Sequence, residues 1–166
     1  MAEHQRLEHG VEPVFDRDSR ILILGSFPSV KSRETSFFYG HPQNRFWRVL
    51  AQVLGEEVPQ SIDDKKRLLL RNQIALWDVI QKCDIIGSSD SSIKNVEATN
   101  LTMILGVCKI QQIFVNGKTA QKLYHRFSEP VTGLEAIALP STSPANAGFS
   151  MEHLVKEWKI IREYLK

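Results

Sequence analysis

Two stretches of the sequence combine hydroxyl, amide and aromatic side chains in a way that could perform chemistry. The first, Gly25 to Trp47, contains the turn Gly25-Ser-Phe-Pro-Ser29, aromatic rings at 37–39 and the string His41-Pro-Gln-Asn-Arg-Phe-Trp47. The second, Pro140-Ser-Thr-Ser-Pro-Ala-Asn146, places hydroxyls and an amide on a backbone restricted by two prolines. Such groups are suited to hydrogen bonding phosphate oxygens. Taken alone, the first stretch is equally consistent with a surface loop whose aromatics pack against a sheet, and the second with a connecting turn.

Charge is distributed unevenly between these stretches. Residues 31–48 contain four lysine or arginine side chains and one glutamate, whereas residues 139–150 contain no charged side chain. The whole chain carries a net charge of +2, which is too small to indicate a nucleic-acid partner by itself. The sequence therefore offers a basic loop and a neutral polar loop.

Composition and length favour a single globular domain spanning residues 1–166, with 42% hydrophobic and 24% charged residues. No apolar run reaches the roughly 18 residues of a membrane helix, and the start has no secretory apolar segment, so we expect a cytoplasmic protein without membrane contact. Cys83 and Cys108 are too few for a disulfide framework, and we expect them to be reduced and buried. No histidine and cysteine spacing forms a plausible metal site, so neither a metal nor another cofactor is expected.

Alternating strand and helix patterns must position the two stretches. Strands are predicted at 20–24, 74–80, 113–115 and 135–139, and helices at 44–54, 61–70, 92–107, 118–127 and 150–165. This alternation predicts an α/β fold, a single-domain three-layer α/β/α arrangement around a central, mainly parallel four-stranded sheet. Ligands bind beyond the C-terminal strand ends in such folds, where the sequence places Gly25 to Ser29, Asp78, Asn116 to Lys118 and Pro140 to Ala147.

The motifs in this order resemble the uracil-DNA glycosylase superfamily. The resemblance is carried by Gly25-Ser-Phe-Pro-Ser29, Tyr39-Gly-His-Pro-Gln-Asn-Arg-Phe-Trp47, Gly117-Lys118 and Ser141-Thr-Ser-Pro-Ala-Asn146, and it covers nearly the whole chain. The first and last motifs are most similar to the hypoxanthine-DNA glycosylase branch, while the second is also similar to the mismatch-specific branch.

This resemblance implies an enzyme that extrudes a deaminated base from DNA and hydrolyses its N-glycosidic bond to leave an abasic site. It implies a monofunctional, monomeric glycosylase that binds DNA, needs no cofactor and acts on hypoxanthine, with uracil or xanthine as alternatives. Extruding a base costs a few kcal/mol, which stacking and edge-reading groups in a pocket can offset.

The expected catalytic residue departs from the commonest pattern of the superfamily. Many members place an aspartate or asparagine two residues after the glycine of the first motif, where it positions the attacking water, but this chain has Phe27 there. The resemblance to the hypoxanthine branch implies that Asn44 holds the water instead. An amide is not a strong base, so catalysis would be mainly electrostatic. The alternative for Asn44 is an N-cap of the following helix.

The resemblance also implies roles for residues around the base and along the DNA. The base pocket is expected to contain Ser26, Phe27, Tyr39, Asp78 and Asn116, and the DNA contacts are expected to be Ser29, His41, Lys118, Ser141, Ser143 and Asn146. Tyr39 would stack on the base, the alternative being core packing. Asp78 would accept a hydrogen bond from a lactam N–H, the alternatives being a helix cap or an ion-pair partner.

Two rival functions belong to other classes. A lesion-binding protein without turnover is suggested by Phe27, because a phenyl ring cannot orient water. A nucleotide- or flavin-binding protein acting on small molecules shares the fold class, but the first loop has neither a Gly-x-Gly-x-x-Gly fingerprint nor a Walker-type sequence.

Overall fold

The computed structural model describes residues 3–165, so residues 1, 2 and 166 of the predicted domain lie outside the described residues. The strands are β1 (Gln5–Glu8), β2 (Ile21–Gly25), β3 (Ile74–Asp78), β4 (Ile80–Ile85), β5 (Lys94–Ala98), β6 (Gln112–Asn116) and β7 (Ala136–Leu139). The α-helices are α1 (Val30–Thr35), α2 (Phe46–Leu54), α3 (Ile62–Arg71), α4 (Thr102–Leu105), α5 (Lys118–Leu123), α6 (Glu129–Thr132) and α7 (Met151–Trp158).

The central sheet has four strands in the order β3-β2-β6-β7, and all of its pairs are parallel. The continuous aliphatic run of β2 is fully buried because neighbouring strands and covering helices enclose it. Gly25 pairs in register with Asp78, so the C-terminal ends of β2 and β3 lie side by side. The predicted α/β fold around a four-stranded parallel sheet is confirmed.

A second, antiparallel sheet of β1, β4 and β5 was not expected from the sequence. The predicted strand 74–80 divides at Val79, so that β3 ends in the central sheet and β4 begins in the other. The predicted helix 92–107 is wrong, because residues Lys94–Ala98 pair with β4 and helix is confined to Thr102–Leu105. Val96 packs against the apolar cluster of Ile80, Cys83 and Ile85, and this tertiary contact outweighs the local preference of the segment.

The helices that flank the site begin and end at residues with clear physical reasons. Helix α2 ends at Gly55, whose φ of 70° is the left-handed conformation that glycine adopts easily. The Ser61 and Ser150 side chains accept hydrogen bonds from the Asp64 and His153 N–H groups, so each serine caps a helix that the sequence predicts to begin there. The predicted helix 118–127 begins as α5 and continues as a π-helical turn, Tyr124–Ser128.

The core contains the apolar sides of these elements. Leu154, Trp158 and Ile161 are fully buried. The predicted helix 150–165 is α-helical only from Met151 to Trp158 and continues as the 3₁₀ segment Lys159–Tyr164. Both cysteines are unpaired and buried. Within residues 3–165, no helix has the length and apolar character needed to cross a bilayer.

Candidate active site

One cavity of about 460 Å³ opens at the C-terminal ends of β2, β3 and β6. Of the twelve side chains singled out from the sequence, ten line this cavity: Ser26, Phe27, Ser29, Tyr39, His41, Asn44, Asp78, Asn116, Ser141 and Ser143. Lys118 and Asn146 do not line it. The two chemically rich stretches of the sequence therefore face one another across a single space.

Gly25 allows two polar side chains to lie close to its Cα at the base of the cavity. A Cβ at this position would lie 2.5 Å from Asp78 Oδ1 and 2.9 Å from Tyr39 Oη, distances that real Cβ atoms do not tolerate. The first motif thus requires glycine at position 25, because the side chains of Asp78 and Tyr39 leave no room there for a Cβ atom.

Asp78 is held by His9, a residue that the sequence analysis did not single out. His9 Nε2 lies 2.8 Å from Asp78 Oδ2, and both side chains are almost completely buried. The Val11 N–H donates to His9 Nδ1 at 3.2 Å, so Nε2 carries the proton and donates it to the carboxylate. The alternatives for Asp78 were a helix cap and an ion pair, and the partner observed is instead a neutral histidine that donates a hydrogen bond. Sequence reasoning could not find it because 69 residues separate the two side chains.

Tyr39 both packs against the core and lines the cavity. Its ring stacks on Phe46 with a centroid distance of 4.0 Å and an interplanar angle of 16°. Its hydroxyl oxygen accepts a hydrogen bond from Asn116 Nδ2 at 3.2 Å. Burial, followed by the negative charge of Asp78, raises the pKa of Tyr39 well above its usual value, so the phenol keeps its proton.

A chain of hydrogen bonds connects Asn116 to Asn44 through Thr142, a fully buried residue that the sequence analysis also passed over. The Thr142 N–H donates to Asn116 Oδ1 at 3.1 Å, and Asn116 Nδ2 donates to Thr142 Oγ1 at 3.0 Å. The Thr142 hydroxyl then donates to Asn44 Oδ1 at 2.8 Å. Asn44 Oδ1 also accepts from the Phe46 N–H at 2.9 Å, so Asn44 binds the first residue of α2, although the N-cap position itself is occupied by Arg45.

Phe27 lies between the cavity and the second sheet. Its ring packs against the apolar cluster that β4 contributes and meets the His9 ring edge-on at 6.0 Å. The Arg33 guanidinium lies 5.6 Å from the ring centroid. The position that holds a polar residue in many members of the superfamily is therefore part of an apolar wall in this chain.

The loop between β4 and β5 adds a carboxyl group that was not predicted. Asp90 lies in a single 3₁₀ turn, Asp90–Ser92, and lines the cavity, with the side chains of Thr119 and Ser26 near its carboxyl group. Removal of water from around the carboxyl raises its pKa, even though the residue as a whole is exposed. The serine-rich composition of 87–92 indicated a loop but gave no sign of a role.

The remaining predicted DNA contacts are distributed around the rim. Ser29 caps α1 by accepting from the Ser32 N–H at 3.1 Å, and Ser143 accepts from the Ala145 N–H at 3.1 Å. Asn146 Nδ2 donates to the Ser141 carbonyl at 3.0 Å, which stabilises the last motif as a turn. Lys118 is exposed at the start of α5, outside the cavity.

The arrangement offers hydrogen-bond donors and acceptors together with aromatic faces. Among the described residues, no group of three or more histidine, cysteine, aspartate or glutamate side chains is placed to hold a metal ion. Such a cavity can bind a planar heterocycle and read its edge.

Comparison with known proteins gives consistent results. Residues 12–165 match the family model described as the uracil DNA glycosylase superfamily. The chain is 35% identical over 160 residues to the hypoxanthine DNA glycosylase of Methanosarcina acetivorans, which covers 93% of this chain and 98% of that protein. It is 37% identical over 145 residues to the enzyme of the same name from Methanosarcina barkeri, covering 84% and 88% of the two chains. The solution NMR structure of a candidate uracil DNA glycosylase from M. acetivorans superimposes with a TM-score of 0.81 at 33% identity, over 97% of this chain and 99% of that one.

Proposed function

The chain belongs to the uracil DNA glycosylase superfamily and is a DNA glycosylase of deaminated bases, and we propose that hypoxanthine is the base it removes. The relatives from the two Methanosarcina species carry that activity in their names. Uracil and xanthine remain the alternative substrates.

The observation that carries this proposal is the buried Asp78 carboxylate at the base of the cavity. Because His9 donates to Oδ2, Asp78 is a hydrogen-bond acceptor, and its Oδ1 lies beside Gly25 and near the Tyr39 hydroxyl. Hypoxanthine presents a donor at N1, which an acceptor can bind, whereas adenine presents a lone pair there. A buried acceptor therefore favours the deaminated base over its parent, since mismatched polar groups in a dry site are strongly disfavoured.

Guanine shares the N1–H donor, so a second factor must exclude it. Its 2-amino group needs additional space next to N1, and its three hydrogen bonds to cytosine make extrusion costlier than for a weakly paired hypoxanthine. The energy of extrusion and the acceptor at Asp78 together select hypoxanthine over adenine and guanine.

Catalysis in this proposal is electrostatic. Asn44 holds the attacking water against a sugar that becomes cationic as the base departs, and the DNA phosphates stabilise that cation. An amide cannot remove a proton from water at neutral pH, but a water attacking an oxocarbenium-like carbon does not need a strong base. Tyr39 stacks on the extruded base. The DNA backbone on either side of that base is contacted by six residues: Ser29, His41, Lys118, Ser141, Ser143 and Asn146.

The first test is a cleavage assay without metal on labelled duplexes that carry one hypoxanthine, uracil or xanthine. Alkali added afterwards reveals abasic sites. Strand breaks confined to the hypoxanthine duplex support the proposal, whereas cleavage of uracil alone contradicts the choice of base. Binding to the lesion without any breaks would favour the rival function of lesion recognition without turnover, which Phe27 suggests.

A matched pair of variants tests the role of Asn44. Asn44→Ala should abolish cleavage and leave DNA affinity nearly unchanged. Asn100→Ala is the control, because Asn100 Oδ1 accepts from the Thr102 N–H at 3.2 Å, the same local bond at a helix start outside the cavity. Equal losses in the two variants would show that the capping bond, and not catalysis, accounts for the effect.

A further inference from the structure

The orientation of the Asn44 side-chain amide is fixed by its neighbours. Oδ1 accepts from the Phe46 N–H and from the Thr142 hydroxyl, so both of its lone pairs are engaged. If Oδ1 and Nδ2 of Asn44 exchanged places, the amide N–H groups would face the Phe46 N–H and the Thr142 hydroxyl proton, and no hydrogen bond could form between these donors. The hydroxyl proton of Thr142 is itself directed at Asn44, because Asn116 Nδ2 already donates to the Thr142 oxygen.

This orientation leaves Nδ2 as the free end of the amide. Asn44 lines the cavity, and no described residue accepts a hydrogen bond from Nδ2. For Asn44 to accept a hydrogen bond from water, Oδ1 would have to release one of its two donors.

We propose that Asn44 acts as a hydrogen-bond donor through Nδ2 to the oxygen of the attacking water, and that Thr142 is the positioning residue that enforces this orientation. The proposal rests on the proposed function and specifies the atom that performs it. One lone pair of the water accepts from Nδ2, and another is left to attack C1′. The C1′–N9 electron pair leaves with hypoxanthine, the water oxygen forms the new C1′–O bond, and the water releases one proton to solvent while the departing base takes one up.

Asn44→Asp distinguishes a donor from an acceptor at this position. One carboxylate oxygen can keep the bonds to Phe46 and Thr142, and the other replaces the Nδ2 donor with a charged acceptor. At neutral pH we expect a fall of about 10²-fold or more in the single-turnover rate, the usual effect of removing one catalytic donor. As the pH falls, the carboxyl gains a proton and becomes a donor again, so the rate of the variant should rise relative to the wild type.

The opposite pH dependence would overturn the proposal. If Asn44 acts as an acceptor, Asn44→Asp should match or exceed the wild type at neutral pH and become slower on acidification. The wild-type profile is measured in parallel because four other side chains with ionisable groups line the cavity: Tyr39, His41, Asp78 and Asp90. The series extends to the lowest pH at which circular dichroism shows both proteins folded.

Thr142 variants test the positioning role separately. Thr142→Val keeps the shape but removes the hydroxyl, and we expect a fall of about tenfold in the single-turnover rate with an unchanged Kd for lesion DNA. Thr142→Ser restores the hydroxyl and should recover most of the rate. A serine variant as slow as the valine variant, or a valine variant as fast as the wild type, would refute positioning.

An NMR measurement decides the amide orientation without reference to activity. A coupling across the hydrogen bond between the Phe46 amide nitrogen and the Asn44 side-chain carbonyl carbon is expected in the wild type and in Thr142→Ser. Its absence in the wild type would overturn the proposed orientation. A wild type that shows the coupling but cleaves no lesion would refute the proposed function alone.

Discussion

Replacing Asp78 by asparagine should reverse the hydrogen-bonding preference of the cavity floor. His9 Nε2 donates to Asp78 Oδ2 at 2.8 Å, and the Val11 N–H fixes the tautomer that makes this donation. In Asp78→Asn, the amide oxygen must therefore face His9, and the NH₂ group takes the place of Oδ1 near Tyr39. The acceptor that would receive the hypoxanthine N1–H becomes a donor.

The expected magnitude follows from the hydrogen bond that is lost. A hydrogen bond to a charged group contributes about 1.5–3 kcal/mol. At roughly 1.4 kcal/mol for each factor of ten, cleavage of hypoxanthine should fall about 10- to 150-fold. Adenine, whose N1 can accept from the new donor, should lose none of its residual reactivity, so the preference for hypoxanthine over adenine falls by at least the same factor.

Single-turnover rates on duplexes that differ only in hypoxanthine or adenine at one position measure this preference. Asp84→Asn is a matched control, because Asp84 lies on β4 and interacts with Arg6 and Asn95 outside the cavity. Thermal unfolding of both variants shows whether the fold is intact. A folded Asp78→Asn protein with the wild-type preference would refute the assignment of Asp78 as the group that reads the base.

Three further perturbations have defined outcomes. Lys118→Ala should weaken binding to all duplexes alike and reduce the slope of log K against log salt by about 0.9, and an unchanged slope would show that Lys118 contacts no phosphate. Gly25→Ala forces a Cβ to within 2.5 Å of Asp78 Oδ1, so cleavage should be lost with about 1–3 kcal/mol of stability, and full activity would contradict the close approach. Hydrogen bonding to Arg71 lowers the pKa of Glu56 in the folded protein. The ionised Glu56 side chain therefore stabilises the fold above the pKa that it has in the unfolded chain, and this stabilisation is lost as the pH falls through its pKa in the folded protein. Glu56→Gln should accordingly lower Tm at neutral pH but not in acid, and a Tm difference that persists in acid would argue against the ion pair.

The elements that the sequence predicts well are those whose signal is local. The aliphatic run ending at Gly25 indicates a buried parallel strand, and Ser61 and Ser150 mark helix starts, because one side chain satisfies the exposed backbone N–H groups there. The motif residues also come together as the topology requires, since strands running in one direction bring their C-terminal ends to one edge.

The parts that the sequence does not predict depend on tertiary contacts between residues that are distant in the sequence. Residues Lys94–Ala98 form a strand because β4 provides a partner and an apolar surface, which no pattern within the segment reveals. His9 lies outside the sequence motifs, and Thr142 lies within the last motif, where nothing distinguishes it from the neighbouring hydroxyl residues. Their importance comes from partners 69 and 98 residues away, Asp78 and Asn44.

The division of the strand at Val79 gives the cavity a floor that resists local opening. The Val79 and Ile80 N–H groups donate to the carbonyls of Gly25 and Ser26, and the Thr99 N–H donates to Val79. One short corner of backbone is thereby tied to both sheets, and the amide protons of Val79 and Ile80 should exchange with solvent only when larger parts of the fold open. Asp78, which we propose reads the base, therefore directly precedes a backbone corner that is hydrogen-bonded to both sheets.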